Sequence, residues 1–306
     1  MAEMNTNVKI KKSKTKMSDK TFNVILTTIA TIILIIFLYP MIFVVSSSFS
    51  SGEAVTAGAV VLWPVDFSLE GYKWILRNNI IYLGYRNSIT YVVLGTLLHL
   101  FMCVFMSYPL SRRDYQGKRA FQIFLILSMM FGGGLIPTYI LVSSLGLVNN
   151  PLWMILSGAV SIGNSIMMRT FFQSNVPYEL LEAAKMDGIT DIGYLFKVML
   201  PLSKAIISVI SLYAIVGKWN DYMGPLIYLR NRDYYPLQLI LNEMLNEGKF
   251  DSSKMEQGAN DAEKLASNID GIRYAIILVG TIPMLILYPF VQKFFEKGVT
   301  VGTIKG

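Results

Sequence analysis

The residues able to do chemistry in this 306-residue chain are few and poorly grouped for catalysis. Its only histidine, His99, and its only cysteine, Cys103, lie four residues apart inside one apolar run. A single cysteine offers no internal disulfide and no metal-type spacing. Both residues are therefore read as satisfied helix residues, with no catalytic or metal site. The phosphate-cradling pattern G-x-x-x-x-G-K-[ST] does not occur. The Gly-Lys pairs that begin at Gly117, Gly217 and Gly248 run into Arg119, Trp219 and Phe250. The notable polar insertion in an apolar stretch is Lys218-Trp219-Asn220-Asp221, just ahead of Gly224-Pro225. Ionisable groups in such settings usually face a cavity or a partner. Trp219 would offer a ring face there, and Asn220 and Asp221 hydrogen-bonding groups. The other reading is that Lys218 and Asp221, three apart, simply pair. Asn87, Asn164 and Ser165 are weaker polar candidates for the same pathway.

The setting of these residues is set by composition. The chain is 53% hydrophobic and only 15% charged, against about 25% charge in a soluble domain. Its apolar residues fall in long runs, several of which reach the roughly 20 residues needed to cross a bilayer. Phe22 to about Val45 is too long for a signal-peptide core of about 7–15 residues, and it is assigned as a retained first helix. Five more follow: about Ser88 to Leu110, Ala120 to Leu145, Leu152 to Phe172, Ala205 to Leu229 and Tyr274 to Phe294. The expected fold is an all-α integral membrane protein with six transmembrane helices. Gly132, Gly133, Gly134 and Pro137 should interrupt the third, and Pro283 and Pro289 the sixth.

Lysine and arginine favour the cytoplasmic side. They cluster in the tail 1–20, with Lys9, Lys11, Lys12, Lys14, Lys16 and Lys20, and around Arg112, Arg113, Lys118 and Arg119. Both termini are placed inside a bacterial plasma membrane, which accounts for the net charge of +7 without a nucleic-acid partner. The divisions are a basic tail (1–20), a first helix with its outer loop (21–87), a five-helix core (88–296) and a cytoplasmic C-terminal tail (297–306). The outward segment from about Arg230 to Arg273 carries Glu243, Glu247, Asp251, Glu256, Asp261 and Glu263. It is either an acidic docking face or a solvated loop.

Between the fourth and fifth helices, the loop 174–202 holds a short helix from Pro177 to Asp187. Pro177 suits the first helical position, Glu179 favours the positive end of the dipole, and Gly188 suits a left-handed close. Thr190 or Asp191 is placed to cap a second short helix, limited by Pro201. About 11 residues make roughly 16 Å, too short to span. Leu180, Ala183, Ala184 and Asp187 recur at helical spacing. The residues alone leave two readings open: a plain interfacial helix, or a lever docked on a cytoplasmic motor.

Glu182-Ala183-Ala184, Gly188, Val198 and Leu200-Pro201 in this loop resemble the EAA motif of ABC importer permeases, with Val198 where that family usually has isoleucine. Asn87-Ser88, Tyr108-Pro109-Leu110-Ser111-Arg112, Trp219-Asn220-Asp221 and the tail from Lys297 to Gly306 are similar to carbohydrate-uptake permeases related to the maltose importer's smaller subunit. Gly133-Gly134-Leu135-Ile136-Pro137-Thr138-Tyr139 looks like their polysaccharide or lipoprotein-associated branch. The resemblance implies a type I ABC importer permease fold with a cytoplasmic coupling helix. It implies a heterodimer with a second permease, two ATPase subunits that use ATP and magnesium, and an extracytoplasmic solute-binding protein. This chain would bind no cofactor. Glu179, Leu180, Glu182, Ala183, Ala184, Asp187, Gly188, Leu200 and Pro201 would couple to the ATPase. Asn87, Asn164, Trp219, Asn220 and Asp221 would line the path of a sugar or oligosaccharide. The rival class is an ion-coupled secondary transporter, which would usually show embedded acidic or histidine relays and an inverted repeat. The spans hold almost no acid apart from Asp221, and no convincing repeat is seen.

Overall fold

A computed structural model describes residues 19–247 and 269–289, and among them the regular elements are helices. The basic tail, the acids Asp251, Glu256, Asp261 and Glu263, and the C-terminal tail lie outside the described residues. Helix α1 (Asp19–Ser48) is apolar on all sides. None of its most apolar window is buried, as expected of a helix meant for a bilayer. Its end is tethered: Phe43 meets Tyr274 edge-on at 5.5 Å, and the Ser48 and Tyr72 hydroxyls share a 2.7 Å hydrogen bond. Short helices α2 (Gly52–Thr56) and α3 (Glu70–Arg77) follow.

Helix α4 (Asn79–Ser111) has 33 residues, roughly 50 Å at 1.5 Å per residue. It starts well before the expected Ser88, because Asn78 caps it by accepting the Ile80 N–H at 3.2 Å. Its buried face carries small and polar residues at helical spacing: Gly84, Ser88, Gly95, His99, Cys103 and Ser107. Small residues let membrane helices approach closely. A Cβ on Gly84 would meet Ile240 at 2.7 Å. The Ser88 hydroxyl accepts the Leu237 N–H at 2.8 Å, and Ser107 donates to the Ser165 carbonyl at 2.9 Å. Around this face pack the fragments of the later helices.

In those fragments the third, fourth and fifth expected helices are all broken, whereas only the third of these was expected to be interrupted. The third expected helix is α5 (Lys118–Met130) and α6 (Leu135–Ser144), inclined at 109°. Gly134, at φ +79°, closes the break. The fourth is α7 (Pro151–Leu156) and α8 (Ile162–Asn175). Gly158 turns at φ +71° between them, and Ser161 caps α8 by accepting the Asn164 N–H at 3.3 Å. Helix α9 (Glu179–Met186) is the short helix of the loop. Helices α10 (Asp191–Leu202) and α11 (Lys204–Trp219) meet at 82°, and α12 (Met223–Tyr228) and α13 (Leu237–Glu247) continue the chain. The last, α14 (Ile269–Pro289), is continuous through Pro283, contrary to the expected interruption. Pro40 in α1 and Pro109 in α4 are likewise accommodated. Three helices are long and apolar enough to cross a membrane, and the two bent pairs, if each is one span, bring the number to five among the described residues. The chain is thus an all-helical membrane protein with three to five candidate spans.

Candidate functional site

Two regions bring the expected site residues together: the charged end around α9, and a cavity near the middle of α4.

At the charged end, α9 is closed by paired backbone bonds. Ile189 N–H reaches the Ala184 carbonyl at 2.9 Å, and Gly188 N–H the Lys185 carbonyl at 3.1 Å. This six-to-one and five-to-two pairing requires a left-handed residue after the helix, and Gly188 supplies it at φ +72°. Glu179 and Glu182 occupy the first turn and Lys185 the last, which suits the dipole. Thr190, not Asp191, caps α10, accepting the Gly193 N–H at 3.2 Å.

One face of α9 is committed to the chain's own core. Leu181 and Ala184 are 4% and 5% exposed, in a cluster with Phe172, Val176, Tyr194 and Met199. Ala184 is therefore unavailable to a partner, which corrects its expected place on the docking face. Glu179, Leu180, Glu182, Ala183, Asp187 and Gly188 remain exposed. The sequence reading missed Met186, which at 88% is the most exposed large apolar side chain among the described residues. Its place three residues after Ala183 was the available signal. Leu200 packs against the same cluster, whereas Pro201 is exposed. Pro201 has no N–H to continue the ladder. Ahead of it the backbone widens into a π-turn over Leu195–Met199, and Leu200 N–H bonds Leu195. The 82° bend follows at Ser203.

Arg112, directly after α4, ties this loop down and was assigned no role from sequence. Its guanidinium grips Asp114 with two bonds, at 2.6 Å and 2.8 Å, donates to the Tyr108 hydroxyl at 3.0 Å and pairs with the Asp191 carboxylate. Lys185 reaches the same Asp114 at 3.1 Å, and Arg113 lies 4.9 Å over the Tyr178 ring, within cation–π range. The three residues 112–114 thus hold both ends of α9 and the start of α10. The Arg112 guanidinium, 11% exposed, holds the Asp114 carboxyl well below the usual carboxylate range.

The second region is a cavity of about 480 Å3. The break between α7 and α8 frees backbone carbonyls, which inside a membrane must find donors. Lys218 supplies them to Met154 at 2.7 Å and Ser157 at 2.6 Å. The His99 Nδ1 lies 2.8 Å from the Gly158 carbonyl. A carbonyl only accepts, so Nδ1 carries the hydrogen and Nε2 accepts from Asn164 Nδ2 at 3.0 Å. His99 and Cys103 are satisfied buried helix residues, as expected. Asn164, Asn220 and Asp221 line this cavity.

Two expected pathway residues lie elsewhere. Trp219 is 3% exposed and donates its indole N–H to the Gly280 carbonyl at 3.1 Å, so its ring faces core, not cavity. Asn87 is buried and donates to the Asp233 and Tyr235 carbonyls at 2.7 Å and 3.0 Å, stapling that segment to α4. Ser165 is also buried. The Lys218–Asp221 pair does not form. Lys218 is turned onto carbonyls, while Asp221 accepts the Gly224 N–H at 2.9 Å. Trp219→Ala is accordingly expected to cost about 3–5 kcal/mol of stability and to lower detergent-solubilised yield. Loss of transport with normal yield and melting temperature would place the ring on the pathway after all.

Residues 80–301 match the sequence family described as binding-protein-dependent transport system inner membrane component. The polygalacturonan/rhamnogalacturonan transport system permease protein YtcP of Bacillus subtilis is 37% identical over 95% of this chain and 100% of its own length. Protein LplC of the same organism is 35% identical over 87% of this chain and 89% of its own length. A crystal structure of a bacterial ABC transporter involved in the import of the acidic polysaccharide alginate contains a chain with 33% identity and a TM-score of 0.83, covering 92% of this chain and 99% of that one.

Proposed function

Because the chain belongs to the family of binding-protein-dependent transport system inner membrane components, we propose that it forms one half of a sugar or oligosaccharide pathway, driven through α9 by a separate ATPase. It is a non-catalytic permease subunit of an ABC importer. Its partners in this proposal are a second permease, two ATPase subunits hydrolysing magnesium ATP, and an extracytoplasmic solute-binding protein. Six spans are proposed, the fourth being the broken α7–α8 unit. Both termini and the Arg112 end face the cytoplasm, in keeping with the clustering of lysine and arginine there.

The observation that supports this most is the two-sidedness of α9. Leu181 and Ala184 fix it to the core, while Leu180, Ala183, Met186 and Asp187 are left for a partner. An unbranched methionine adapts well to such a surface. Force on α9 would pass by two routes: through Arg112–Asp114 into α4, and through α10 and the Ser203 bend into α11, whose far end lines the cavity. Such rigid-body motion of packed elements is a known kind of switch. The carbohydrate cargo is supported by the names of the B. subtilis permease and the alginate importer.

The test is uptake into proteoliposomes holding the complex that co-purifies with this chain. Uptake should require internal or external ATP on the α9 side and persist when ion gradients are collapsed. Uptake that continues without ATP and stops with the gradient would instead indicate a secondary transporter.

A further inference from the structure

The loop that follows α2 turns apolar side chains outward instead of burying them. Trp63 is 81% exposed, and Val61, Leu62, Phe67 and Leu69 are exposed with it. No charged residue interrupts 60–65. The loop is nonetheless firmly built, because its backbone is laced to the end of α1. The Ser46 hydroxyl donates to the Leu62 carbonyl at 2.6 Å, and the Ser50 hydroxyl accepts the Val65 N–H at 3.0 Å. Ser68 N–H reaches the Phe49 carbonyl at 2.9 Å, and the Phe67 ring stacks on Phe49 with centroids 5.9 Å apart. An exposed apolar patch on such a frame marks contact with a partner or with a membrane.

Depth favours the membrane. The apolar part of α1, Thr21–Ser48, has 28 residues, about 42 Å at 1.5 Å per residue. The hydrocarbon layer is about 30 Å thick, and the bilayer with its headgroups about 40–45 Å. Ser46 therefore falls at headgroup level, and its bond to the Leu62 carbonyl holds Leu62 and Trp63 there. Just before Ser46, Met41 and Val45 are exposed as well, so the lipid-facing surface of α1 continues to the loop. The start of α14 lies at the same height, since a Cβ on Gly271 would meet the Ser50 carbonyl oxygen at 3.2 Å. Tryptophan suits this layer because its ring is apolar and its N–H polar.

We propose that loop 60–69 is a membrane-interface anchor, with Leu62 and Trp63 seated between lipid headgroups and the first carbons of the acyl chains. It would fix the height of α1, whose most apolar window has no residue buried in the chain. The inference rests on α1 as a span and not on the sugar pathway.

The test uses the intact importer in proteoliposomes made with lipids brominated either near the ester end or near the methyl end of the acyl chains. Subtracting the fluorescence of Trp63→Phe from that of wild type isolates Trp63 from Trp74, Trp153 and Trp219. ATP hydrolysis and uptake by the variant report assembly. The Trp63 signal should lose most of its intensity to the shallow bromines and little to the deep ones. Quenching by neither lipid would overturn the anchor, whether the emission is that of a water-exposed indole or turns blue when the solute-binding protein is added. Stronger quenching by the deep bromines would overturn it too, by placing the ring within a span. A complex that imports no sugar yet shows shallow quenching would sink the pathway reading and keep the anchor.

Discussion

Gly188→Pro is expected to cut ATP-driven uptake roughly a hundredfold, corresponding to about 3 kcal/mol or more for proline in a forbidden position. Proline cannot take the φ of +72° found there, and it also removes the N–H that bonds Lys185. The closing turn of α9 is then lost, and with it the direction in which Met186 and Asp187 point. Gly188→Ala separates backbone strain from crowding. No atom lies within 4 Å of an alanine Cβ at this site, so the cost is the left-handed conformation alone, about 1–2 kcal/mol. That corresponds to a loss of roughly five- to thirtyfold. Gly188→Asn should lie closer to wild type, since asparagine tolerates this region better. The order Gly, Asn, Ala, Pro in uptake, with membrane insertion constant, is the signature. Uptake by the proline variant equal to wild type would remove α9 from any coupling role.

Arg112→Ala has the second large expected effect. It deletes two bonds to Asp114, one to Tyr108 and the pair with Asp191 in a single step. Removing one member of a poorly solvated ion pair costs about 3–5 kcal/mol. Asp114 and Asp191 are more than a third exposed, so solvent screening reduces this to about 2 kcal/mol, roughly thirtyfold in the linked geometry. Because the outer face of α9 does not include Arg112, the ATPase subunits should still co-purify and still hydrolyse ATP while uptake falls. Arg112→Lys should not restore uptake, as an ammonium cannot grip Asp114 with two parallel bonds. A double-mutant cycle with Asp114→Ala should show strong coupling. Additive losses, or full activity of the lysine variant, would mean that residues 112–114 transmit nothing.

How much of this was readable in the sequence depends on the range of the interaction involved. The existence of the long helices α1, α4 and α14 followed from their apolar runs, because length and hydropathy are properties of a segment by itself, but the expected break of α14 at Pro283 did not appear. Gly188 was legible for the same reason: its left-handed turn is local. The bend between α5 and α6 was signalled by three successive glycines, though not its 109° angle. The break at Ser157–Ser161 was hidden. Its residues continue the apolar pattern, and the donors that make it tolerable, Lys218 and His99, come from distant parts of the chain. Arg112 was visible as a charge after a helix, but its partner Asp191 is brought to it by the fold. Ala183 and Ala184 look alike in sequence, and only the packing of α9 on Phe172 and Tyr194 turns one outward and the other inward. Trp219 looked like a ligand platform because an aromatic beside polar residues is ambiguous until its N–H finds the Gly280 carbonyl.

Cysteine crosslinking on α9 tests the central claim most directly. The native Cys103 is fully buried, so an added thiol at Met186 would be the reactive one in the intact importer. Met186→Cys and Ala183→Cys should each capture the ATPase subunit with a short thiol crosslinker, and Ala184→Cys, facing the core, should capture little. In right-side-out vesicles, a membrane-impermeant thiol reagent should leave all three unlabelled. Labelling of position 186 from outside, or crosslinking that captures no nucleotide-hydrolysing partner while uptake is intact, would contradict the account.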